Sequence, residues 1–296
     1  MAGLNFGSNY ALAEFIIRFL VLPVIIGCGL ASCLLRSWKG ADRSLRVTYN
    51  LAVVTFLISV VFYIAYEGRV AAAPLRASRN GLANYFRPLI IFDVFVLAFD
   101  LISKIAIFGA VTQIALVLTS SSGRRSFLHL FRIAIVAILI LLLILNIAFY
   151  GRYSDLALHP SSAYGLLDNY NWLLRSFGTG AAFYVIYLLA MIAVTIISIF
   201  SRSSPAVAAS IQLVMLAILA LASNSGFVDY LTNLIKTVNN GRYSGRDYNT
   251  FESFAAVAII LEVILQTGAL VALFFGAESR QNGHQTTRPK NEVTNA

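Results

Sequence analysis

The chain has 296 residues, of which 59% are hydrophobic and 12% charged, with a formal net charge of +9 and a mean hydropathy of +0.79. A soluble domain carries roughly 25% charged residues, so the composition excludes an ordinary water-soluble globular protein. The basic excess flanks apolar runs, where Lys and Arg meet anionic headgroups, and no basic patch suits a nucleic acid.

Seven apolar runs lie near 11–34, 48–67, 88–118, 127–150, 178–201, 205–227 and 252–276. Each reaches the length of about 20 residues that a helix needs to cross a hydrocarbon core of ~30 Å. A β-barrel would show short alternating segments instead, and lipid leaves helices as the other way to satisfy the backbone. The expected fold is all-α: a polytopic seven-transmembrane helix bundle over 1–277, followed by a polar, disordered tail over 278–296.

The first run carries Glu14 and Arg18, an i,i+4 pair that can neutralise itself near the interface. It also holds Cys28 and Cys33, expected as small packing residues rather than a disulfide. The start lacks the basic n-region of a cleavable signal peptide, and no lipidation motif is expected. The first loop, "RSWKGADRSLR", has four basic residues against one acid. That favours an N-terminus outside or lumenal and a cytoplasmic C-terminus, although the totals with that loop included are almost balanced between the two faces.

The third run contains "IIFDVFVLAFDLISKIAIF", with Asp93, Asp100 and Lys104. Spacings of seven and four residues put all three on one narrow stripe, because each residue turns the helix by about 100°. Arg132 in the fourth run is close enough to its start to snorkel to the headgroups, and Asn146 lies near the end. The longest connections are expected at roughly 151–177 and 228–251. Ser223, Asn224 and Ser225 close the sixth run; Glu262 and Gln266 lie in the seventh.

Spans one, three and seven run in the same direction, so depths compare directly. Asp100 and Glu262 fall near one level, with Lys104 and Gln266 one turn deeper. Asp93, Glu14, Arg18 and Glu252 form a shallower tier. Asn146 and Asn224, at the far ends of even-numbered spans, return to the same half of the bilayer. Of fourteen tyrosines only Tyr49 clearly belongs to the opposite face. An aromatic belt forms at both interfaces, so the one-sided set suggests an aromatic-lined vestibule.

Intramembrane charges usually face a bundle interior or a wet cavity. Within the spans stand four acids (Glu14, Asp93, Asp100, Glu262) and two bases (Arg18, Lys104). If each base takes one acid, two carboxyls remain to hold a proton or a cation. The expected ligand-binding set is Asp93, Asp100, Lys104, Glu262, Gln266, Asn146 and Asn224.

Known seven-helix families fit poorly. The architecture looks like that of G-protein-coupled receptors, but the third run ends "IALVLTSSSGRR" without an acidic-Arg-aromatic triplet. The seventh ends "GALVALFFGAES" without Asn-Pro-x-x-Tyr. The seventh run also lacks the lysine of a retinal protein. His129, His159 and His284 stand at an interface, in a loop and in the tail, which argues against an intramembrane metal site. No internal repeat of a sugar transporter is evident.

The preferred reading is a non-enzymatic protein without cofactor or metal. It would bind or sense a small molecule in a receptor-like manner, or move it with proton or cation coupling, with membrane lipids as its other partner. The alternatives are a terpene-cyclase-like enzyme with Asp100 and Glu262 as intramembrane acids, and a purely structural membrane protein.

Overall fold

The computed structural model describes residues 9–34, 43–71, 79–118, 122–158, 163–200, 204–239 and 257–275. All are helical, and no strand occurs among them. The helices are α1 (Asn9–Leu34), α2 (Arg43–Ala71), α3 (Arg79–Leu118), α4 (Ser122–Leu158), α5 (Ala163–Phe200), α6 (Ser204–Asn239) and α7 (Val257–Phe275). All seven are long and apolar enough to cross a membrane. The chain is a multi-pass integral membrane protein built as a seven-helix bundle. The tail 278–296 and Glu252 lie outside the described residues.

Neighbouring helices run in opposite directions, as their cross-contacts show. Ser59 donates to the Val96 carbonyl at 3.2 Å while Ser103 donates to that of Ala52 at 3.0 Å, so α2 and α3 count in opposite senses. Helix α3 is central, touching α2, α4, α5 and α6. Over its span, Ile91–Leu116, 56% of the most apolar stretch is buried, against 17% for the spans of α1 and α4.

The bundle keeps its apolar side chains facing outward as well as inward. On α3, Ile91 and Phe95 are exposed. Asp100 lies roughly 180° and 140° around the helix from them, at about 100° per residue. On α7, Val257, Leu261 and Ile264 are exposed, and Glu262 and Gln266 lie on the opposite side. In lipid an outward Leu or Ile costs nothing, whereas a polar group gains by turning toward another helix.

Helix length departs from the sequence expectation on one side. The stretch 151–177, expected as a connection, is helical over most of its length: α4 continues to Leu158 and α5 starts at Ala163. Likewise α6 runs on to Asn239, into the segment expected as the second long connection. An apolar run marks only the part of a helix in hydrocarbon. Backbone hydrogen bonding continues past it wherever no breaker intervenes, and the polar turns carry no hydropathy signal.

The α2–α3 seam combines aromatic contact with close backbone approach. Phe62 meets Phe92, Phe95 and Phe99 at centroid distances of 5.5, 5.3 and 6.2 Å. Toward the other face, a Cβ placed on Gly109 would come 2.9 Å from Thr48 Cγ2. Only glycine permits that approach without a shift. Gly109→Val is therefore expected to lower stability by about 1–3 kcal/mol, the usual cost of overpacking, measured as reversible unfolding of the purified protein in detergent.

Candidate functional site: a lysine held by two carboxylates

Lys104 stands near the middle of the α3 span and is only 1% exposed. Its ammonium has three hydrogens to donate, and each finds an acceptor on a different helix. Asp100 Oδ2, one turn back on α3, lies at 2.5 Å. Tyr184 Oη on α5 lies at 2.9 Å and Glu262 Oε2 on α7 at 3.3 Å. One base thus takes two acids, so the expectation of one partner per base does not hold at Lys104. The reason is reach: four methylenes carry the charge away from its own helix.

The surrounding backbone is tied to the same point. Tyr187 donates to the Lys104 carbonyl at 3.3 Å. Gln266 Nε2 donates to Ser103 Oγ at 3.1 Å, and Ser103 passes its own hydrogen to Ala52 on α2. Asp100, Lys104, Glu262 and Gln266 from the expected set therefore meet in one place. Tyr184 and Ser103 complete it and were not singled out from the sequence as partners of Lys104. For Ser103 a hydroxyl several turns inside a span was the available signal, whereas Tyr184, under two turns from the expected start of its run, was hidden among the interfacial tyrosines.

The other expected residues form two further groups. Asp93 accepts a hydrogen bond from Tyr150 on α4, with Tyr66 and Tyr153 within its electrostatic reach. Nearby, Arg18 donates twice to Glu14 Oε1, at 2.9 and 3.2 Å, and lies over the Tyr63 ring, 3.8 Å from its centroid. The i,i+4 neutralisation expected for that pair is present.

Asn146 accepts from Ser176 on α5 at 2.8 Å, and Asn224 donates to Ala220 at 2.8 Å. Both amides crowd Gly180, where an added Cβ would lie 2.5 Å from Asn224 Oδ1 and 3.2 Å from Asn146 Nδ2. This node joins α4, α5 and α6, and the side-chain bonds of Lys104 go instead to Asp100, Tyr184 and Glu262. Arg132 bonds Gln113 on α3. Cys28 and Cys33 are free thiols, and no cluster of metal-ligating side chains occurs among the described residues.

Removing one partner of a buried ion pair leaves an uncompensated charge and costs about 3–5 kcal/mol. Lys104→Met is expected to destabilise the protein by that amount near neutral pH. Acidification should recover part of the loss, because the two carboxyls left behind need protons in the folded state and the cost of binding them falls with pH. Thermal unfolding across a pH series checks both signs. Ser176→Ala should cost only about 0.6 kcal/mol, the average for an interhelical hydrogen bond in a membrane.

Compared with known proteins, the chain matches no protein-family model, no curated protein and no solved structure.

Proposed function

We propose that this multi-pass membrane protein binds a small cationic molecule in a receptor-like manner, with Asp100 and Glu262 as its anionic contacts. The distribution of exposure around Lys104 carries the reading. The ammonium is sealed at 1% while the Asp100 and Glu262 side chains are 25% and 14% exposed. Asp100 lies on the side of α3 away from the exposed Ile91 and Phe95, which supports an opening toward the bundle rather than toward lipid. A molecule entering between the helices meets carboxylate oxygen first and finds the base already satisfied behind it.

Tyrosines line the approach on the side where the odd-numbered helices begin. Tyr63 and Tyr66 pack 6.4 Å apart on α2, and Tyr150 and Tyr153 5.7 Å apart on α4. Aromatic ring faces attract cations; that of Tyr63 already carries Arg18, and Asp93 lies near Tyr66, Tyr150 and Tyr153. The basic first loop favours placing this side outside or in the lumen. Carriage of the same cation across the bilayer is the second reading, favoured by the two carboxylates that share one base.

The reading is tested by thermal unfolding of the purified protein in lipid nanodiscs with phenethylamine, tryptamine and butylamine, and with 3-phenylpropionate as an anionic control. At least one amine should raise the melting temperature saturably, as a ligand selective for the folded state does. The carboxylate should not. Asp100→Asn should weaken the response at least about tenfold, or 1.4 kcal/mol. Equal responses to amine and carboxylate would sink the proposal, as would no response to any amine or one unchanged in both Asp100→Asn and Glu262→Gln.

A further inference from the structure

The cage around Lys104 holds two carboxyl groups and one ammonium, all within hydrogen-bonding distance and all inside the membrane span. If both carboxyls were ionised, the cage would carry one uncompensated negative charge in low-dielectric surroundings. A buried charge without a partner is normally neutralised rather than tolerated. Some cation must complete the cage, and the smallest is a proton.

The geometry also decides which carboxyl takes it. Lys104 Nζ is 2.5 Å from Asp100 but 3.3 Å from Glu262. The Asp100 side chain is also the more exposed of the two, at 25% against 14%. Asp100 thus has both the closer counter-charge and better access to solvation. Glu262 has the longer contact and the drier position. The other charged or titratable groups acting on it are Tyr184 on α5 and, electrostatically, Arg18 on α1.

On these grounds we infer that Glu262 is a proton-binding site: it carries one exchangeable proton while Asp100 and Lys104 form the ion pair. The inference rests on the cage being a cation site and names the cation that fills it at rest. When a protonated amine arrives, the Glu262 O–H bond breaks and the proton leaves to water. The ammonium takes its place, and the charge of the cage is unchanged. Each amine bound releases one proton, which couples occupancy of the site to pH.

Infrared spectroscopy of the purified, ligand-free protein at neutral pH reads the proton directly, because a protonated carboxyl has a C=O stretch distinct from that of a carboxylate. A Glu262 band, shifting in deuterated water, is expected in the unmodified protein and in Asp93→Asn, where any band of Asp93 itself is lost. It should vanish in Glu262→Gln. It should vanish also in Asp100→Asn, where Glu262 becomes the only counter-ion of Lys104 and ionises. In Lys104→Met the band should double.

A structural pair would show no loss of a glutamate band on changing an aspartate. Absence of the band from the unmodified protein overturns the inference, as does its survival in Glu262→Gln or its loss in Asp93→Asn. Should Lys104→Met fail to fold, the two amide variants still decide the matter. The measurement needs no ligand, so a missing band alongside amine binding refutes the stored proton alone. A correct band pattern without amine binding refutes the proposed ligand and leaves the proton in place.

Discussion

The ammonium of Lys104 cannot remain in hydrocarbon alone, and the bundle is arranged around that constraint. Each of its three hydrogens needs an acceptor, and the acceptors come from α3, α5 and α7. Meeting all three fixes the rotation of α5 and α7 against α3. A rotation of one residue, about 100°, would carry Tyr184 or Glu262 out of reach. Apolar packing in lipid is far less selective, since tails are as apolar as leucine. Directional contacts therefore choose among many acceptable packings.

The remaining polar residues can be understood as smaller cases of the same requirement. Arg18 is answered within its own helix by Glu14 and across the helix pair by the Tyr63 ring. Asp93 is answered by Tyr150. The amides of Asn146 and Asn224, which carry no charge, settle where Gly180 lets α5 approach α4 and α6. Each node joins different helices, so together they index the rotation of nearly the whole bundle.

How much of this was legible depends on which coordinate is asked for. Length and hydropathy identify the seven spans. Residue number gives depth, and a step of about 100° per residue gives direction on the helix itself. Those two quantities put Asp93, Asp100 and Lys104 on one stripe and Glu262 at the level of Asp100. The third coordinate, which helix stands opposite which, is not written in any one segment. The sequence groups Asn146 and Asn224 with Lys104, whereas the hydrogen bond of Asn146 leads to Ser176. Tyr184 was counted with the vestibule for the same reason. The long polar turns at the end of α4 and the start of α5 escaped notice because hydropathy reports the surroundings of a helix and not its hydrogen bonds.

Helix α7 is held at two heights by different means. Near its start Glu262 meets the Lys104 ammonium at 3.3 Å, and one turn on Gln266 bonds Ser103. Two turns beyond Glu262, Tyr49 donates to the Leu270 carbonyl at 3.3 Å, and the Gln212 side chain lies against Gly268, about 3.1 Å from where a Cβ would stand. That lower fastening involves no ion. Loosening the upper contact therefore does not free the helix. With Gln266 and Leu270 both held, a change at Glu262 is confined to the first turns of α7, which begins at Val257.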